Sequence, residues 1–127
     1  MDKRKDNLIV DLTFKFALKI IVLAEQLEES KKYVIARQIL RSGTSVGANT
    51  REAQNAESKP DFIHKLKIAI KEVEETEYWL ELINNSDGYP NCDDLIRDLH
   101  VIDKVLTKII TTTKLQLKPS KSNISSN

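Results

Sequence analysis

An all-α fold, an antiparallel up-down-up-down bundle of four helices, is what this 127-residue chain predicts, and three observations predict it. Apolar residues recur at three- and four-residue steps along four long segments. Glycine and proline number only three each, so little interrupts those segments. The stretches near 29–32 and 57–59 are too short for crossover connections, which makes consecutive helices antiparallel neighbours. No alternating apolar–polar run bounded by turns marks a strand. One domain over residues 1–117 and a disordered polar tail over 118–127 complete the expectation.

The first helix is expected from about Leu8 to Glu29. Ile9, Leu12, Phe16, Ile20, Leu23 and Leu27 form its inward stripe. A second apolar stripe, Val10, Phe14, Ala17, Ile21 and Ala24, lies about 100° around the same helix. That arc is wider than one bundle core requires. The second helix, about Lys32 to Glu57, turns Ile35, Ile39, Gly43, Val46 and Thr50 inward. The third opens at Ser58-Lys-Pro-Asp61, a capping-box spacing with proline in the first turn. Phe62, Leu66, Ala69, Val73, Thr76, Leu80 and Ile83 then keep a 4-3-4-3 rhythm until the turn-rich stretch 84–90. The fourth starts near Asn91, with Asp93 and Asp94 at the favourable end of the helix dipole. Leu95, Leu99, Ile102, Leu106, Ile109 and Thr113 form its stripe.

The run Arg41-Ser-Gly-Thr-Ser-Val-Gly-Ala-Asn49-Thr-Arg-Glu52 is unusual inside a helix. Glycine there costs about 1 kcal/mol relative to alanine. Gly43 and Gly47, four apart, therefore point to a neighbouring backbone that needs the space. A separate small polar face carries Arg41, Ser45, Ala48 and Glu52. An exposed strip of Val10, Phe14, Ala17 and Ile21 would be an aggregation liability, so burial by another copy of the chain is expected.

Charge is nearly balanced, 20 Lys+Arg against 19 Asp+Glu for a net +1, so there is no global pull toward polyanions or membranes. The acidic run Glu72, Glu74, Glu75, Glu77 and Glu81 reads as a solvated helix face. The lone Cys92 excludes an intrachain disulfide and fits a reducing compartment. No cleavable leader pattern is visible, and no apolar run approaches the ~20 residues that span a bilayer. A cytoplasmic protein is expected, without membrane partners.

Catalysis needs convergent polar groups, and none is assembled by spacing. Asp61 and His64 have an i, i+3 spacing used by metal sites in bundles, but His64 falls far from the apolar stripe and points outward. His100 leans off its stripe without a second ligand, and Cys92 has no base nearby in sequence. No enzyme activity, metal, cofactor or small-molecule substrate is expected. Trp79, with Ile68 and Leu82, lies away from the core stripe of its helix, open either to a partner or to coverage by the 84–90 turn. Residues 31–51 hold Lys31, Lys32, Arg37, Arg41 and Arg51 with no acid among them, a modest basic surface suited to phosphate contacts. Lys31, Lys32, Arg37 and Arg51 are the candidate nucleic-acid contacts. Aromatic interleaving for single-strand stacking is not expected there.

The stretch from Arg37 through Arg41, Ser45, Val46, Asn49 and Glu52 to Ala53, followed by Ser58-Lys-Pro-Asp-Phe62 and then Glu74-Glu75-Thr76 with Trp79-Leu80, resembles the bacterial 23S rRNA intervening-sequence protein family. The resemblance covers about residues 8–115. It implies a four-helix bundle, a homopentameric ring without known enzymatic activity, and a polar strip of Arg41, Ser45, Asn49 and Glu52 matched by Glu74 or Glu75. The strip is expected to form a hydrogen-bonded network that fixes bundle register or subunit contact. A scaffold or adaptor is the function this suggests, with association to RNA or another nucleic acid as the alternative.

Overall fold

The computed structural model describes residues 3–117, with side chains from residue 8 onward. The tail expected over 118–127 lies outside the described residues. Four helices follow in order, α1 (Lys3–Glu29), α2 (Tyr33–Ala53), α3 (Lys59–Asn84) and α4 (Asp93–Leu117). Each packs on its two neighbours around the bundle, and the backbones of the diagonal pairs, α1 with α3 and α2 with α4, stay apart among the described residues. That is the up-down-up-down bundle. The α1–α4 seam is the least contacted of the four.

Each helix ends for a local reason. At the α1–α2 turn the Lys31 N–H bonds the Glu28 carbonyl and the Lys32 N–H bonds the Leu27 carbonyl, the paired bonds of a Schellman cap. Lys31 takes the left-handed conformation this cap needs, at φ 63°, where glycine is the usual occupant. α2 stops at Ala53, four residues before the sequence suggests. Bonds from Gln54, Asn55 and Ala56 to carbonyls three back tighten its last turn. Ser58 must then be extended, at φ −156° and ψ 166°, for its hydroxyl to cap the Asp61 N–H of α3. Asn84 ties the α3–α4 loop. Its amide oxygen accepts from the Cys92 N–H at 2.7 Å, and its amide nitrogen donates to Asp93 at 2.8 Å. Asn91 accepts from the Asp93 N–H to start α4.

The inward stripes read from the sequence form the core. On α3 all seven positions from Phe62 to Ile83 are buried. On α1, α2 and α4 the stripes are buried except Leu12, Ile35 and Leu95, which are half-buried against the same core. Ala24, from the second stripe of α1, is buried by its own chain. The polar members are satisfied within their own helices. Thr13, Thr50, Thr76 and Thr113 each donate to a carbonyl one turn back, at 2.6–2.9 Å. Ser42 is the buried hydroxyl without a partner among the described residues.

The two helical glycines act inside the chain. A Cβ on Gly43 would stand 2.8 Å from Ile20 of α1, and one on Gly47 would stand 3.3 Å from the Thr13 carbonyl oxygen. The bare backbone of α2 thus lets α1 lie against it. Alanine recovers about 1 kcal/mol of helix propensity, while overpacking a filled core costs about 1–3 kcal/mol. Gly43→Ala, against fully buried Ile20, is therefore expected to lose about 1 kcal/mol net, and Gly47→Ala less. Urea midpoints in the reverse order would break the link to Ile20.

Candidate assembly surface

The polar strip of α2 faces α3. The Arg41 guanidinium reaches Glu72 at 3.3 Å and also bonds Glu75, whose carboxylate accepts from the Trp79 indole N–H at 2.9 Å. Trp79 first, and then Arg41, hold the Glu75 carboxyl below its ordinary pKa. Glu74, the other partner suggested by sequence, is exposed, and Glu72 takes the second place. Its spacing of three from Glu75 puts both on one face, a signal the sequence did contain. Glu77 pairs with His100 of α4 at 2.8 Å. Three of the five acids in that run thus bridge helices, and the run is only partly a solvated face.

Ser45 and Asn49 do not join this cluster. The Ser45 hydroxyl donates to the Arg41 carbonyl at 2.6 Å, and the Asn49 amide donates to the Ser45 carbonyl at 2.8 Å. Glu52 makes its own ion pair with Lys65 of α3, at 3.3 Å. Within one copy the strip is two ion-pair clusters joined by helix backbone. Both clusters fix the register of α2 against α3, although their exposure keeps each worth under about 1 kcal/mol.

The apolar strip belongs to α1 and flanks the other shoulder of α2. Phe14 is 49% exposed and Ile21 40%, while Val10 and Ala17 are half-buried. Leu8, Leu18 and Val22 extend exposed apolar surface along the same helix. Val10, Phe14, Gly47, Ala48 and Arg51 line a groove of about 430 Å³ between α1 and α2. The Arg51 guanidinium stands over the Phe14 ring, 5.6 Å from its centroid, so this cation covers part of the apolar face. The groove is open because Gly47 and Ala48 have too little side chain to fill it.

The four candidate phosphate contacts do not form one patch in a single copy. Lys31 and Lys32 sit at the α1–α2 turn, Arg37 is exposed further along α2, and Arg51 lies near its other end. Nineteen residues of helix rise separate Lys32 from Arg51, about 28 Å. His64 is exposed, as its position off the stripe implies. Cys92 is buried, and that burial, with Asp93 adding to it, pushes its thiol up to about 11, far from a reactive thiolate. No group of three or more His, Cys, Asp or Glu able to hold a metal ion occurs among the described residues. No helix among them is long and apolar enough to cross a membrane.

The fold and surface define a small helical bundle built around inter-helix packing, with exposed apolar residues on every helix and most numerous on α1. The model of one family, the 23S rRNA-intervening sequence proteins, matches residues 5–108. The chain belongs to that family. A crystal structure of a protein of unknown function from the S23 ribosomal protein family of Bacteroides thetaiotaomicron is 45% identical and superposes with a TM-score of 0.80, covering 84% of this chain and 98% of that one. No curated protein matches the chain.

The depressed Glu75 pKa has a definite sign in stability. Its contribution is present above the unfolded carboxylate pKa of about 4.3 and is lost as pH falls through the lower folded value. Glu75→Gln is therefore expected to flatten the loss of stability between about pH 5 and pH 3 relative to the wild type. Parallel acid-unfolding curves for the two proteins would mean the carboxylate is not held by Trp79 and Arg41.

Proposed function

We propose that this protein is a non-enzymatic scaffold or adaptor of the bacterial cytoplasm that acts as a closed homo-oligomeric ring. The observation that carries this reading is the exposed strip of Phe14 and Ile21 beside the α1–α2 groove. Apolar surface of this extent on one helix of a bundle favours burial against another protein surface. A second copy offers a matching set of small residues and a groove, and cyclic closure satisfies a head-to-tail contact. A ring of five is the size implied by the family resemblance. Arg41, Ser45, Asn49 and Glu52, on the opposite shoulder of α2, are the polar half of the proposed contact.

Light scattering is expected to return a multiple of 14.5 kDa. Phe14→Glu leaves the chain's own core intact, because that ring is half exposed, and is expected to give a smaller species of unchanged helicity. A monomeric wild type would refute the oligomer.

A second reading is association with RNA, as the family's name suggests. What favours it is the acid-free stretch 31–51 with Lys31, Lys32, Arg37 and Arg51. In a ring these cations repeat, and phosphate contacts add in number. Filter binding of a structured RNA at two salt concentrations is expected to show saturable affinity that falls as salt rises. No binding at low salt discards this reading.

A further inference from the structure

The chain has three tyrosines and one tryptophan, and the fold gathers all four at one end of the bundle. Tyr33 opens α2, Trp79 lies near the end of α3, and Tyr89 belongs to the α3–α4 loop, yet these three line one cleft of about 330 Å³. Tyr78 packs its ring edge-on against Trp79, with centroids 5.5 Å apart at 61°. No ring contact joins Tyr33, Trp79 and Tyr89 to one another among the described residues, so the space among them is open. Its volume is at the small end of ligand pockets.

Two lysines also line this cleft, with Val34, Ile35 and Gln38 of α2 making up the rest of its wall. Lys32 holds its ammonium 4.6 Å from the Tyr89 ring centroid, and Lys31 lies beside it on the rim. Lys31 occupies the left-handed position of the helix cap, where glycine is less strained, and so places a cation on the cleft at some conformational cost. No carboxylate lines the cleft among the described residues. The acid bonded to Trp79, Glu75, is also paired with Arg41, which fixes the indole N–H and neutralises the charge behind it. The first turn of α2 adds no acid and no side-chain cap.

An open slot among aromatic rings, rimmed by cations and without an acid among the described residues of its lining, suits a flat aromatic group flanked by negative charge. We propose that an unpaired nucleobase of a single-stranded nucleic acid seats among Tyr33, Trp79 and Tyr89, with flanking phosphates on Lys31 and Lys32. This rests on the nucleic-acid reading given above and narrows it to one end of the bundle. Stacking needs an unpaired base, because a base within a duplex is already covered on both faces.

Trp79 is the only tryptophan, so its emission reports on this cleft alone. Titration with short oligouridylate and oligodeoxythymidylate is expected to quench it, while an abasic strand of equal length leaves it unchanged. The sugar that binds more tightly separates RNA from DNA. Tyr33→Ala, at a site 51% exposed and outside the core, is expected to weaken binding at least about fivefold. Lys31→Gly is expected to keep or raise the melting temperature while shallowing the salt dependence by about 0.7 in log–log slope, one phosphate contact on a single strand. A labelled strand that gains anisotropy equally with or without bases, leaving Trp79 emission unmoved, overturns the cleft but spares nucleic-acid binding elsewhere. No anisotropy change at low salt overturns both. Emission that shifts with protein concentration and then ignores oligonucleotide shows the cleft closed by another copy, and also overturns the proposal.

Discussion

The close approach of α1 to α2 is the constraint on which the rest of the bundle depends. Two glycines on α2 remove the side chains that would hold the helices apart, and Ile20 and Thr13 of α1 occupy the space. Glycine weakens an isolated helix, so this exchange of local propensity for contact succeeds only in the assembled fold. Once α1 lies that close, its inward stripe is fixed. Ile9, Phe16, Ile20 and Leu27 face the core, and the residues a third of a turn away are carried outward. Phe14 and Ile21 are exposed because Ile20 and Thr13 are where they are.

The shoulders of α2 then have different jobs. Toward α3 it carries charge, with Arg41 on Glu72 and Glu75 and Glu52 on Lys65. Exposed ion pairs add little stability, but a slipped register would break the Glu52–Lys65 pair and leave Arg41 with one of its two acids. Toward α1 it carries small residues and leaves a groove. At the far end, the lysine-rimmed aromatic cleft comes from the two connections at that end rather than from the helix packing. The same antiparallel topology that closes the core brings the start of α2, the end of α3 and the α3–α4 loop together.

Much of this was legible in the residues. The 4-3-4-3 rhythm of α3 named its seven buried positions, because a helix of 3.6 residues per turn leaves few other ways to bury that stripe. The Ser58 cap and the outward His64 followed from position in the same way. The boundary of α2 did not, since Gln54 to Glu57 have no strong breaker and the helix yields there to the extended Ser58 that α3 requires. The acidic run on α3 reads as solvated until one knows that Arg41 and His100 stand across from it. Tyr33, Trp79 and Tyr89 are separated by dozens of residues, so no linear pattern of aromatics and cations announces the cleft.

The amino-acid sequence by itself determined the helical class, the order of four helices and the inward stripe of each, because these depend on periodicity and on short-range bonds at helix ends. Tertiary structure decided which helix the glycine pair accommodates, which acids find cations, and which aromatic rings share a cleft. Those outcomes depend on distances between segments far apart in the chain. Only the packed arrangement of the four helices sets such distances.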